Sequence, residues 1–203
     1  MEGYLFYLAA WLLWIYLVFL KGGQEREGKG LQAAVLLAII ASPLHLPLGE
    51  SKVFLGGISL FVYSLIHVIQ ANKKEKSIFF IFSLIISLFY CSFRFFELFD
   101  PIVFIVKKEW LIAGFLAFLA IFLYSSLRWR LMLIVFGSMQ GEMLYALVLQ
   151  KNFLAFEVGG FEYLDTISLA VLTVIGWGIL VKSASWLNSF SNQAERAGKH
   201  PNE

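Results

Sequence analysis

Seven apolar runs account for most of this 203-residue chain, and each is about as long as an α-helix must be to cross the hydrocarbon core of a bilayer. With 60% hydrophobic residues and only 15% charged residues, the chain is too apolar for a soluble domain. We therefore predict an all-α fold, a polytopic membrane helical bundle with seven transmembrane helices. The predicted spans are residues 3–20, 31–48, 53–70, 77–99, 111–127, 131–150 and 166–182.

The basic residues between the runs are distributed unevenly, and this predicts an orientation. If every run crosses, eleven of the sixteen Lys and Arg residues lie on one side and five on the other. Because Lys and Arg are enriched in cytoplasmic loops, the N-terminus is predicted outside and the C-terminus inside. The inner set is Lys21, Arg26, Lys29, Lys73, Lys74, Lys76, Arg128, Arg130, Lys182, Arg196 and Lys199, and the outer set is Lys52, Arg94, Lys107, Lys108 and Lys151.

The second run is the weakest of the seven, because Pro43 and Pro47 interrupt it. A re-entrant segment that returns to the same side is the alternative. In that case the basic turn at residues 73–76 and every later loop would change sides, and the basic residues would divide eight to eight. The uneven division therefore favours a full crossing by residues 31–48.

Three short features predict where helices begin and end. Asp100-Pro101 should end the fourth helix, because proline disfavours the helical conformation of the residue before it. Asp165 is predicted to be the N-cap of the seventh helix. Residues 183–203 are predicted to form a cytoplasmic polar tail, and its last part, 191–203, has the composition of a disordered segment.

Glu142 is the leading candidate for a functional residue, because it stands eleven residues beyond Leu131 and hence about 16 Å along a helix, near the middle of the bilayer. Ser138 and Tyr145 share its helical face, and Gln140 is a second polar group at this depth on another face. One interpretation is a site that titrates a proton or binds a cation. The other is a neutral, hydrogen-bonded acid that holds helices together.

Two short patterns predict contacts between or within helices. Gly137 and Gly141 have the GxxxG spacing, which allows a neighbouring backbone to approach closely, either inside the bundle or in a homodimer. Arg94 and Glu97 are three residues apart on the fourth helix and should form an ion pair.

Signs of an enzyme or a metal centre are weak. His45 and His67 are predicted near opposite faces of the membrane, and Cys91 is the only cysteine, so no metal site is predicted. The sequence contains no metalloprotease, nucleophile-elbow or phosphate-loop motif, so we expect neither an enzyme nor a cofactor. The formal charge of +2, carried in short clusters, predicts no nucleic-acid partner.

Two stretches of the sequence are informative about its family. They are the opening Met1-Glu2-Gly3 with the aromatic residues Trp11, Trp14 and Tyr16 behind it, and Ser42-Pro43-Leu44-His45 in the second run. In these stretches, and in its length and hydropathy over nearly the whole chain, the sequence resembles the small YphA-type integral membrane proteins of Bacillus-like bacteria. The resemblance implies a multi-pass protein of the bacterial plasma membrane, and it assigns no functional residue.

Two hypotheses for function follow. The leading one is a non-enzymatic membrane protein that acts through helix packing or through contacts with a membrane-protein partner or a second copy of itself. The alternative is a small transporter or channel in which Glu142 binds a proton or cation within the bundle. In both, the lipid bilayer is the surrounding partner.

Overall fold

The computed structural model of the chain describes residues 2–20, 26–49, 51–99, 107–152 and 154–198. Three sequence predictions lie at least partly outside these residues. They concern the basic loop at 21–30, the helix stop at Asp100-Pro101 and the part of the tail beyond Gly198.

Within the described residues the chain forms seven α-helices, one for each predicted run. They are α1 (Tyr4–Ile15), α2 (Arg26–Ala41), α3 (Leu55–Ile69), α4 (Lys73–Phe99), α5 (Lys108–Leu123), α6 (Leu127–Lys151) and α7 (Phe161–Gly198). A π-helical segment, Tyr16–Leu20, continues α1. The prediction of a mostly helical chain is confirmed.

Three helical segments of the described chain are long and apolar enough to cross a membrane. They are Lys73–Phe99, Leu127–Lys151 and Phe161–Trp186. The other helices are apolar but shorter, for example 15 residues in α3 and 16 in α5. A crossing by all seven helices stays a prediction.

A small sheet, absent from the all-α prediction, lies between α2 and α3 and extends to the loop before α7. Strands β1 (His45–Leu48) and β2 (Ser51–Phe54) form an antiparallel hairpin, and β3 (Glu157–Val158) pairs with β2 in parallel. Gly49 occupies the tight turn with a φ of 66°, a conformation that favours glycine. The sheet lies at the end of the bundle where α2 ends and α3 begins.

The predicted second span, 31–48, differs from the structure. Helix α2 ends at Ala41, and the second half of the run forms a turn and then strand β1. Pro43 explains the end of the helix, because it disfavours the helical conformation of Ser42. Pro47 fits its place in β1, because proline is tolerated in a strand at the edge of a sheet.

Helix α7 also differs from its prediction at both ends. It begins at Phe161, so that Asp165 lies inside the helix and is not its N-cap, and it continues to Gly198 through much of the predicted polar tail. Residues 183–197 contain neither proline nor glycine, so nothing in the sequence interrupts helical hydrogen bonding once the helix is established.

Consecutive helices run in opposite directions, which gives the bundle two ends. At the end that carries the strands, which we name the sheet end, α1 and α7 begin together, since Gly3 N–H donates to Asp165 Oδ2 over 2.8 Å. At the opposite end the rings of Phe79, Tyr124 and Trp129 pack together. They bring the start of α4, the end of α5 and the start of α6 to one level.

Helix α6 is the central helix of the bundle. It packs against α3, α4, α5 and α7, and its contact with α4 is the most extensive between any two of the described elements. Leu133, Ile134 and Met139 in its middle are fully buried. Polar side chains in the middle of this helix, such as Ser138 and Glu142, are therefore surrounded by other helices, which reduces their contact with lipid.

Candidate functional site

A cluster of five charged side chains joins four helices near the sheet end. We name it the charge network. It consists of Arg94 and Glu97 on α4, Lys108 on α5, Glu142 on α6 and Glu162 on α7.

Arg94 is the centre of the charge network. Its Nη1 lies 3.0 Å from Glu97 Oε2 and 3.0 Å from Glu162 Oε1, so one guanidinium bonds two carboxylates on different helices. Its Cζ lies 5.1 Å from the centre of the Tyr145 ring, a cation–π distance. Because guanidinium is planar and offers several donors, it can join these groups at once.

Lys108 lies at the more exposed side of the charge network. Its Nζ lies 2.7 Å from Glu162 Oε1 and also contacts Glu97 Oε1. Arg94 and Lys108 therefore share the same two carboxylates, and the three helices α4, α5 and α7 are joined by direct hydrogen bonds.

Glu142 is the innermost member of the network. Its side chain is only 3% exposed, compared with 16% for Arg94 and 35% for Glu162. Glu142 Oε2 lies 3.9 Å from Arg94 Nε, beyond hydrogen-bond distance, and among the described residues neither atom has a hydrogen-bond partner. Tyr90 of α4, which is 2% exposed, is the other polar side chain beside this carboxyl group.

Glu142 lies in the half of α6 that is nearer to the sheet end. Helix α6 begins at Leu127, four residues before the predicted start of the span, and ends at Lys151. Glu142 therefore stands nine residues, or about 13 Å, from the end of the helix. This position brings it level with Arg94, which lies five residues before the end of α4 at Phe99.

The other three predicted polar residues divide between the network and its surroundings. Tyr145 contacts the network through its ring. Ser138 does not join it, since its hydroxyl donates to Ile134 O over 2.6 Å and lies 3.2 Å from the hydroxyl of Tyr163. Gln140 also stays outside, and its buried Oε1 has no hydrogen-bond partner among the described residues.

Gly137 and Gly141 lie directly against α4. A Cβ atom on Gly137 would come within 2.6 Å of Ile86 Cγ2, and one on Gly141 would come within 2.7 Å of the backbone oxygen of Ser87. The GxxxG spacing is thus used inside the bundle. It permits the close approach that brings Arg94 and Tyr90 of α4 to Glu142 of α6.

Sequence reasoning missed two members of the network, Lys108 and Glu162, and the hydrogen-bonding role of Asp165. Lys108 is the first residue of α5, and Glu162 and Asp165 are the second and fifth residues of α7. The available signal in the sequence was the position of these three residues at the start of a helix at the sheet end. That position alone indicates only a charge in a loop or a helix cap.

The two predicted histidines lie far apart in the fold, as their sequence positions indicate. His45 is in β1 at the sheet end, and its ring packs 5.4 Å from that of Phe54. His67 is in the last turn of α3, with its ring 4.6 Å from that of Tyr63. Among the described residues no group of three or more His, Cys, Asp or Glu side chains is arranged to hold a metal ion.

Comparison with known proteins identifies the family. No solved structure matches the chain. A protein of Bacillus subtilis strain 168, described as the uncharacterized protein YphA, is 25% identical over 199 residues, which is 97% of both chains. The sequence model of the YphA-like integral membrane protein family matches residues 2–200. The resemblance seen in the opening aromatic residues and the Ser42–His45 stretch is confirmed, and the chain belongs to the YphA-like integral membrane protein family.

Proposed function

We propose that this integral membrane protein is a non-enzymatic component of the bacterial plasma membrane whose seven helices all cross the bilayer. It acts through helix packing and through contacts with partner membrane proteins. The observation that carries this proposal is the charge network, in which oppositely charged side chains of four helices lie next to one another.

The packing around Glu142 supports a structural role. Its carboxyl group faces Arg94 and Tyr90, and its side chain is almost fully buried. A carboxylate that must exchange ions with water needs an open path, whereas this one lies at a close interface between α4 and α6. Buried charges with counter-charges on neighbouring helices fix which helices are adjacent.

The alternating helices support the seven crossings. Since the direction reverses at each connection, the five residues of the predicted outer basic set belong to the sheet end. Helix α3 has 15 residues, about 22 Å, which is shorter than a bilayer core of about 30 Å. A span shorter than the core is accommodated by local thinning of the bilayer.

A second candidate function has one specific observation in its favour. The network contains two cations and three carboxylates, so full ionisation leaves one negative charge in excess. Glu142 Oε2, buried and without a hydrogen bond among the described residues, is the position where a proton or small cation would offset that charge. In that case the protein would be a small transporter that uses Glu142.

Proton flux through reconstituted liposomes separates the two functions. The purified protein is placed in vesicles that contain a pH-sensitive dye, and an inward pH gradient is applied in the presence of valinomycin and potassium. We expect the wild type, Glu142→Gln and the exposed control Glu157→Gln to match empty vesicles. A flux that the wild type and Glu157→Gln show and Glu142→Gln lacks would contradict the structural role and support transport.

A further inference from the structure

The outermost strand of the sheet, β1, is exposed along its whole length and yet is apolar. Leu46 is 55% exposed and Leu48 is 60% exposed, and Leu44 just before the strand is also exposed. Large apolar side chains grouped in this way at the surface mark a contact with another apolar phase.

The register shows that the sheet has two chemically different faces. Residues directly opposite each other in neighbouring strands point to the same face, and successive residues alternate. Leu46 is opposite Val53, which is opposite Val158, and Leu48 is opposite Ser51. This face is apolar apart from Ser51.

The exposed part of the other face includes an ion pair beside Pro47. Pro47 is opposite Lys52, which is opposite Glu157. Lys52 Nζ lies 3.7 Å from Glu157 Oε1, and both side chains are at least half exposed. An exposed ion pair of this kind is compatible with water and not with the interior of a bilayer.

Exposure along the apolar face shows which part of it the bundle covers. Val158 in β3 is 4% exposed and Val53 in β2 is partly buried, whereas Leu46 in β1 is 55% exposed. The sheet therefore packs on the bundle through β3 and β2, and β1 extends past the edge of the bundle. Its leucines point to the same side as Val53 and Val158, whereas Phe54, at the end of β2, is buried on the other side against Phe161 of α7.

The exposed surface of α2 leads directly to these leucines. Leu37 and Ile40, in the last two turns of the helix, are 55% and 63% exposed, and Leu44 follows them. Helix α2 has 16 residues, about 24 Å, and is shorter than a bilayer core of about 30 Å. The apolar surface thus continues past the end of the helix onto β1.

We propose that β1 lies in the headgroup region of the bilayer, with Leu46 and Leu48 inserted at the boundary with the acyl chains of phospholipids. Pro47, Lys52 and Glu157 face the water. The occupant of this surface is lipid, since the apolar side of the sheet is continuous with the lipid-facing surface of α2. The proposal rests on the proposed crossing of the membrane by α2.

The backbone of β1 is compatible with this depth. Its outer edge faces no other strand among the described residues, so its polar groups need water or lipid headgroups. Pro47 has no N–H and so removes one donor from the strand. An edge strand can therefore lie in the headgroup region, where hydrogen-bonding groups are available, but not in the hydrocarbon.

Site-directed spin labelling tests the proposal, because Cys91 is the only native cysteine and is buried. In a Cys91→Ser background, single cysteines replace Ile40, Leu46, Pro47 or Leu48, and the labelled proteins are reconstituted in phosphatidylethanolamine and phosphatidylglycerol vesicles. Collision with oxygen, which concentrates in lipid, is compared with collision with the water-soluble complex nickel ethylenediaminediacetate.

We expect the ratio of oxygen to nickel accessibility to be several-fold higher at positions 46 and 48 than at position 47, and high at position 40. Equal, water-like ratios at 46, 47 and 48 with a high ratio at 40 would overturn the lipid contact of β1 and leave the crossing of α2 intact. A water-like ratio at 40 would overturn both.

A second measurement avoids the bulk of the spin label. The same cysteines are alkylated with a charged maleimide in native membranes opened by freezing and thawing. We expect slow reaction at 46 and 48 and fast reaction at 47, with unchanged thermal unfolding of each variant as the check on folding. Equally fast reaction at all three positions would overturn the proposal.

Discussion

The carboxylate of Asp165 satisfies two backbone donors at the start of α1. The N–H groups of Gly3 and Phe6 donate to its two oxygens, each over 2.8 Å, and Asp165 is 8% exposed. Gly3 stands at the N-cap of α1 with a φ of 87° and has no side chain that could serve as a cap. A residue of α7 thus takes the place of a local N-cap, and it couples the position of α1 to that of α7.

Replacing Asp165 tests this remote cap. We expect Asp165→Ala to lower the free energy of unfolding by about 1–2 kcal/mol, because two buried donors lose their acceptor. Asp165→Asn, which keeps one acceptor oxygen, should lose less. The measurement is unfolding in mixed detergent micelles, and Glu157→Ala, in an exposed pair, is the control. Equal stability of Asp165→Ala and that control would show that the cap contributes nothing.

Gly141 is a position where a single methyl group should separate two helices. Its Cβ would lie 2.7 Å from Ser87 O and 2.9 Å from Tyr90 Cβ. We expect Gly141→Ala to cost about 1–3 kcal/mol of unfolding free energy through overpacking. Gly178→Ala on α7 is the matched control, since a Cβ there meets nothing within 4 Å. If the two variants unfold alike in micelles, α4 and α6 are not held at this distance.

Elements differ in how well the sequence predicts them. The runs that became α4 and α6 are long, apolar and uninterrupted, and hydropathy alone located them to within four residues at each end. The hairpin of β1 and β2 was missed, because its leucines and valine lie at the ends of longer apolar runs, which predict spanning helices. Only part of the candidate site could be predicted from the sequence. The Arg94–Glu97 pair follows from helical spacing, whereas the approach of Lys108 and Glu162 depends on how α5 and α7 pack.

The charge network should contribute more as a link between helices than as separate pairs. We expect Arg94→Met to lower the unfolding free energy by about 3 kcal/mol, because it leaves the buried Glu142 without its counter-charge and leaves Glu97 and Glu162 to Lys108. Combining Arg94→Met with Glu142→Gln should restore part of that loss. The measurement is a double-mutant cycle of unfolding in micelles.

The control for this cycle is Lys107→Met, which removes an exposed positive charge one residue before α5. It should change stability by less than about 0.5 kcal/mol. Additive effects of Arg94→Met and Glu142→Gln, with no recovery in the double variant, would mean that the 3.9 Å approach of the two groups carries no coupling.

The alternation of the helices and the uneven distribution of the basic residues together predict how the whole molecule is oriented in the membrane. Alternation assigns Lys52 and Lys107 to the sheet end and Lys74 and Arg130 to the opposite end. The predicted inner set of basic residues belongs to the opposite end, so the positive-inside rule predicts that this end is cytoplasmic. We therefore expect the sheet and the charge network near the outer surface.

Labelling of single cysteines checks this topology in cells. In the Cys91→Ser background, we expect Lys52→Cys to react with a membrane-impermeant maleimide in intact cells. Lys29→Cys and Lys74→Cys should react only after the membrane is permeabilised, because α2 and α3 each place a crossing between Lys52 and these residues. Reaction of Lys29→Cys and Lys74→Cys alone in intact cells would reverse the orientation and keep the alternation. Protection of Lys29→Cys with reaction at both 52 and 74 would instead make α3 a segment that does not cross. Since α4, α5 and α6 lie between Lys74 and β3, that outcome would place residues 52 and 157 on opposite sides of the membrane and would also contradict the pairing of β2 with β3.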